Sequence, residues 1–348
     1  MRREALSAGP RADNVRFDCR LLDREAMKKM SSASFLVVCA VALGGAGPSA
    51  AENVTLVLGT ATPGGGFTAY GEALTDALRD VDPGLQIRLR QTAGSKENVP
   101  LLEAGRLDLG LVEGTAAHEA FSGIGRAPAN LRIVAAMYPT PAMFAVRADS
   151  PYRTIMDLKG RRVVFGAAGS GFVLLARYVL DGLGLDPQAD FDAVLLQSAK
   201  EGPPMVLDGD AAAMWGGGIG WPAFEAIAGG PHGARFIAPA QDEIERIQAR
   251  HTFLKEMSVP AGSYRGQDRP IATVGSWSLI LARPDVPDDL AYRFARALHR
   301  AQPRFAARLA QARDSIPANT LSASPSVELI HPGVARYLRE IGLKQPAQ

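Results

Sequence analysis

Cysteine is missing from most of the chain. There are two, Cys19 and Cys39, and none after residue 39. Residues 52–348 therefore carry no disulfide, no thiolate metal site and no cysteine nucleophile. Histidine is scarce as well. His118, His232, His251, His299 and His331 are scattered without zinc-protease spacing, which argues against a metal centre or a histidine-driven hydrolase. A dominant charge sign is also lacking. Once residues 1–51, with eight Lys+Arg and five Asp+Glu, are set aside, 30 basic and 31 acidic residues remain. No basic stripe is left, so no nucleic-acid partner is expected. Heptads, low-complexity tracts and arrays of short repeats are absent, and the apolar run from Phe35 to Leu43 is too short to span a bilayer.

That run has another reading. From Met27 the chain is "MKKMSSASFLVVCAVALGGAGPSAAENV", a basic start, an apolar core and then small residues. This is the layout of a secretory signal peptide over residues 27–51, with cleavage expected after Ala50 or Ala51 and the mature chain in the periplasm. Residues 1–26 then read as an upstream extension from a mis-assigned start. Cys39 sits inside the apolar core rather than at its end, so lipid attachment is not expected.

Past Ala51 the chain alternates strand-like and helix-like stretches. "NVTLVLGT" (53–60) is a β-branched strand, and "FTAYGEALTDALRDV" (67–81) spaces Tyr70, Leu74, Ala77 and Leu78 as one helix face. "LQIRLRQT" (85–92) alternates with period two. Ser95 then reads as the cap of a helix that Gly105 stops. Further strands are expected at "LDLGLVEG", "LRIVAAMY", "MFAVRA", Arg162–Phe165, "FDAVLLQ", "DAAAMWGG", "ARFIAP" and "TVGSWSLILAR". A long amphipathic helix is expected at "DDLAYRFARALHRAQPRF". The alternation predicts an α/β fold of parallel sheets with crossover helices. Two lobes are expected, residues 52–144 plus 275–348 and residues 145–274. The chain crosses between them twice, making a hinge with an interlobe cleft.

Three polar, glycine-rich turns lie between a strand and a helix: Gly59–Gly66, Thr92–Asn98 and Gly166–Gly171. Ligands collect at the carboxyl ends of strands in open α/β sheets, and free N–H groups at a helix start favour polar or anionic groups. Three such turns could face one another across a cleft. Any one of them could be a plain turn former, a reading that fits three together less well. A nucleotide cradle fits poorly, because "GGGFTA" lacks the Walker lysine and "GAAGSG" has the wrong dinucleotide spacing. A nucleophile elbow fits poorly too, since Ser170 has glycine as its immediate neighbours. Asp288/Asp289 and Asp242/Glu243 read as solvated helix starts.

The segments "LGTATPGGGFTAYGEAL", "QTAGSKENVPLLEAGRLDLGLVEG", "SPYRTIMDLKGRRVVFGAAGSG", "VPAGSYRGQD" and "LIHPGVARYLREIGL" resemble, in order, the TAXI family of TRAP-transporter solute-binding proteins. The resemblance implies a type II periplasmic binding protein fold with two lobes around a ligand cleft. It implies no enzyme activity, cofactor or metal. It implies a monomer that delivers a small solute, usually a carboxylate, to an ion-gradient-driven TRAP-type permease. Carried over, the pocket would use Thr60, Gly65, Gly66 and Phe67, then Ser95 and Asn98, then Glu113, Thr115 and Tyr138. The second lobe would add Ser170, Gly171, Phe172, Trp215, Gly218 and Trp221.

Some positions depart from the family pattern. Phe67 and Phe172 stand where hydroxyl side chains are usual, and Glu113 opens "EGT" in place of a Gln-Ser-Asp-like run. The departures point to a solute with a larger apolar portion, or a neutral-to-zwitterionic one whose amino group meets Glu113. Two further classes stay open at this point. One is a sensor presenting solute to a membrane kinase; the other is a secreted two-lobed enzyme, for which no converging acid, base or nucleophile is visible.

Overall fold

In the computed structural model, which describes residues 53–343, the β-branched run after Asn53 forms β1 (Val54–Gly59). The signal-peptide and upstream-extension readings, with Cys19 and Cys39, lie outside the described residues. In chain order there follow β2 (Leu85–Arg90), β3 (Leu109–Val112), β4 (Arg132–Pro141), β5 (Met143–Arg147), β6 (Arg162–Ala167) and β7 (Asp192–Leu196). The rest are β8 (Ala213–Gly216), β9 (Ala234–Ile237), β10 (Lys255–Val259) and β11 (Ile271–Ala282).

The strands make two sheets. One runs β10-β11-β3-β1-β2, with β4 also paired to β11; the other runs β7-β6-β8-β5-β9. Both are mixed, which corrects the expectation of purely parallel sheets. The triplets around β1 and β6 are parallel, but β11 runs antiparallel to β3, β4 and β10, and β5 runs antiparallel to β8 and β9. The reason is connectivity. Ala142 alone separates β4 from β5, too short a link to reverse direction through a helix, so β5 enters the second sheet against its neighbours.

Helix faces fill the space between. Tyr70, Leu74, Ala77 and Leu78 of the helix Gly66–Val81 are buried at the expected spacing. They pack with Leu56, Leu58 and Leu111 of the sheet and with Phe294, Leu298 and Phe305 of the helix Asp288–Arg308. In the second sheet both faces are covered. Phe144 and Val146 join Phe165 and Trp215 in one core, while Met143 and Ala145 join Val164, Phe224 and Ile227 in another.

β11 links the two bodies. Val274 belongs to a second-sheet core and Ile280 to the first-sheet core. Beside it, Ala142 donates its N–H to the Val274 carbonyl at 2.9 Å, and Thr273 Oγ1 donates to the Ala142 carbonyl at 2.5 Å. β10, within the stretch 145–274, hydrogen-bonds into the first sheet. No described helix is long and apolar enough to cross a membrane.

Candidate functional site

The three glycine-rich turns meet. Two lie at carboxyl ends of first-sheet strands and the third at the end of β6, and between them is a cavity of about 40 Å³. Gly65, Gly66 and Phe67 form one side of it. Gly65 caps the helix Gly66–Val81 with extended backbone and no side-chain bond, so that helix start lies bare at the cavity wall. Gly94, at φ +118, starts the helix Ser95–Glu103. Ser95 is thus the first helical residue rather than its cap. Its hydroxyl is used elsewhere, accepting the Glu113 N–H at 3.0 Å.

Glu113 is the centre of the first-sheet wall. It caps the helix Gly114–Ser122, accepting the Thr115 N–H at 2.9 Å and the Thr115 hydroxyl at 3.2 Å. Ser276 Oγ of β11 donates to the same carboxylate. The side chain is buried yet faces the cavity. Burial pushes its pKa up to about 7, and the hydrogen bonds from Ser276 and Thr115 only partly oppose this. Tyr138 stands nearby on β4, its phenol pushed above the ordinary range chiefly by burial, with Tyr70 and Glu113 adding to it.

The second-sheet wall is made of glycines and aromatics. Ser170 caps the helix Gly171–Gly182, its hydroxyl accepting the Phe172 N–H at 3.2 Å. Phe172 lies 5.2 Å, centroid to centroid, from Trp221. Trp221 is buried and its Nε1–H has no partner. A Cβ placed on Gly66 would come 3.2 Å from both the Tyr138 hydroxyl and Trp221 Cδ1, so these two polar side chains converge over that helix start.

The lobes touch closely. Lys96 N–H donates to the Gly169 carbonyl at 3.1 Å, Ser198 Oγ to Pro63 at 2.8 Å, and Ala199 N–H to Thr62 Oγ1 at 3.3 Å. A Cβ on Gly169 would lie 2.6 Å from the Ala93 carbonyl, and one on Gly171 would collide with Glu113 Cβ. Only glycine at these positions lets the two walls meet. At the rim, Arg177 pairs with Glu119, which also accepts from Tyr178 at 3.1 Å.

Of the residues expected at the pocket, the structure brings together Gly65, Gly66, Phe67, Ser95, Glu113, Tyr138, Ser170, Gly171, Phe172 and Trp221. Five others sit behind the wall. The Thr60 carbonyl accepts from Thr92 Oγ1 at 3.0 Å and Asn98 Nδ2 at 2.8 Å. Asn98 Nδ2 also reaches the Leu111 carbonyl at 2.8 Å, so this buried amide clamps strand ends. Thr115 serves Glu113. Trp215 is fully buried against Phe144, and its Nε1–H holds the Phe172 carbonyl at 2.9 Å. Gly218 turns at φ +96 towards the amide of Gln311, its carbonyl taken by Tyr264. The residues not foreseen include Thr62, Ala199, Ser276 and Ser278. Ser276 is 163 positions from the carboxylate it serves, a pairing with no local signal.

No lysine, arginine or histidine lines this cavity, and no cluster of metal-ligating side chains occurs among the described residues. The arrangement can enclose a small molecule, hydrogen-bond it and exclude water from it.

Two lobes joined through paired crossover strands, with a cavity at their junction, define a periplasmic binding protein fold. Solved structures share it. MatC from Rhodopseudomonas palustris, determined with bound malate, is similar at a TM-score of 0.54 and 15% identity over 81% of this chain and 97% of its own. The periplasmic binding protein BugD is similar at 0.53 and 13%, over 84% and 98%. A protein of Bordetella bronchiseptica RB50 is similar at 0.50 and 12%, over 82% and 98%. The chain itself belongs to the NMT1-like family, a family of solute-binding proteins rather than enzymes, which matches residues 58–342.

Proposed function

We propose that this protein is a periplasmic receptor that captures a small carboxylate-bearing solute, an organic acid or amino acid, and delivers it to a TRAP-type permease driven by an ion gradient. The observation that carries the reading is the cavity closed by both lobes around a buried Nε1–H of Trp221 that has no partner. A buried donor left unpaired costs about 1–3 kcal/mol, a cost that a solute acceptor removes. The start of the helix at Gly66, which has no side-chain cap, favours the same acceptor. The malate in MatC agrees with a carboxylate ligand in this fold. The TRAP partnership rests on the ordered resemblance of the five segments to the TAXI family.

Closure explains how such a receptor signals occupancy. A solute touching both walls binds the closed form alone, so it shifts the population towards closed by the full free energy of those contacts. A thermal-shift screen of organic acids and amino acids tests the binding. A true ligand raises the melting temperature in proportion to the logarithm of its saturation, and a flat response across the panel overturns the reading. Transport is tested in proteoliposomes with the candidate permease. Uptake is expected with an ion gradient and no ATP; a requirement for ATP overturns the TRAP assignment.

A further inference from the structure

Glu113 is the one charged side chain on the cavity wall. Carboxylate-binding sites ordinarily answer an anion with a cation, and here the lining holds no cation but an acid. Its carboxylate accepts from Thr115 twice and from Ser276, all neutral donors, and it takes part in none of the ion pairs among the described residues. With the Ala116 N–H beside them, these donors satisfy the carboxylate's hydrogen bonds but leave its charge without a cation. Trp221, whose buried Nε1–H has no partner, lines the same cavity. Phe67, Phe172 and Ala199 line it too. The lining therefore combines an acceptor, an unpaired donor and apolar side chains.

We infer that Glu113 is the specificity residue of this site and selects a compact amine-bearing solute, a zwitterionic amino acid with a small apolar side chain, whose ammonium group it pairs. The inference rests on the solute-receptor reading and sharpens it. The acceptor end of the solute takes the Trp221 Nε1–H and the helix start at Gly66. A dicarboxylate, by contrast, brings a second carboxylate to a wall that answers it with an acid and no cation, and keeps Glu113 from ionising.

Capture then exchanges a proton. In the empty site Glu113 holds its proton up to about pH 7, because burial disfavours the ion. An arriving ammonium favours the ion, so the carboxylic acid gives up its proton to solvent and the solute keeps its own. Few other groups interfere. Glu113 is faced by Ser95 and Gly171, by Thr115 of its own helix, by Ser276 of β11 and by Tyr138 of β4. Only Tyr138 titrates, and it stays neutral throughout. On the same helix, His118 turns outward to stack 3.8 Å from Phe253, and Glu119 turns to Arg177.

The test is calorimetry on the purified receptor with matched pairs, L-alanine against propionate and L-valine against isovalerate, plus succinate, in two buffers of different ionisation heat. The amino acids are expected to bind at least about tenfold more tightly than their partners, and to release about one proton per solute below pH 7. Their affinity should fall about tenfold for each pH unit below 7. Glu113→Gln keeps the shape and the helix cap and should lose both the proton release and the pH slope. The wild-type buffer comparison stands alone should that variant fold poorly. Propionate, isovalerate or succinate binding as tightly as the amino acids overturns the inference while leaving the receptor reading intact. Binding of amino acids without proton release overturns it as well. If nothing in either series binds, the inference falls. A further silence across the wider thermal-shift panel removes the receptor reading with it.

Discussion

The two walls of the cavity work by opposite means. The first-sheet wall carries groups that can distinguish charge, Glu113 with its Ser95, Thr115 and Ser276 partners, and Tyr138 beside them. The second-sheet wall carries shape. Gly169 and Gly171 let it approach, Phe172 and Trp221 give it a surface, and Trp215 braces Phe172 from behind. In the proposed receptor, one side reads the solute and the other closes on it. That division predicts which substitutions change affinity through closure and which through chemistry.

The largest effect should come from closing. Gly171→Leu puts a side chain where Glu113 Cβ already lies, so the lobes stay apart while each keeps its own core. We expect affinity for a proven solute to fall on the order of a hundredfold or more, with an unfolding midpoint close to wild type. Small-angle scattering should show a wider particle. A variant that closes and binds normally would erase the distinction between the walls.

Next is Glu113 as a stability element. Folding raises its pKa from an ordinary 4.5 to about 7, so the native state holds its proton more tightly than the unfolded chain does. Between those values the unfolded chain ionises first, and stability is lost as pH rises. Denaturant unfolding at about pH 4.5 and about pH 8 should show wild type losing on the order of 3 kcal/mol relative to Glu113→Gln. Parallel behaviour of the two proteins would mean the carboxylate is better solvated than its burial implies.

Trp221→Phe sharpens the comparison from the other side. It removes a buried N–H that has no partner in the empty protein. Solute binding should weaken by about 1–2 kcal/mol, while the empty protein is no less stable. A loss of stability without a loss of affinity would assign Trp221 to packing alone. The smallest effect belongs to the rim. Arg177 is half exposed, and breaking its pair with Glu119 by Arg177→Ala should cost binding less than about 1 kcal/mol, vanishing at high salt.

Much of this was legible before any coordinates. The helix Gly66–Val81 announces itself by Tyr70, Leu74, Ala77 and Leu78, because one apolar stripe at helical spacing needs no tertiary partner to be recognised. The glycine-rich turns were equally plain. What went unread was β10, a stretch reading "KEMSV" with exposed charges, which is a strand only because β11 supplies its hydrogen bonds. The antiparallel course of β5 was hidden likewise, since it follows from a one-residue link crossing between sheets, and that of β11 is set by strands far away along the chain. At the site, Trp215 and Trp221 looked alike in sequence. Burial in one core and exposure to one cavity separated them.

The sequence by itself determined the local elements, the glycines at strand ends and the family to which the chain belongs, because periodicity and backbone freedom are properties of neighbouring residues. The tertiary structure alone decided that Glu113 is buried and faces the cavity between the lobes. Its carboxylate is held by Ser276 from a distant strand and covered by Gly171 from the opposite lobe, and desolvation depends on what surrounds a group in space rather than along the chain.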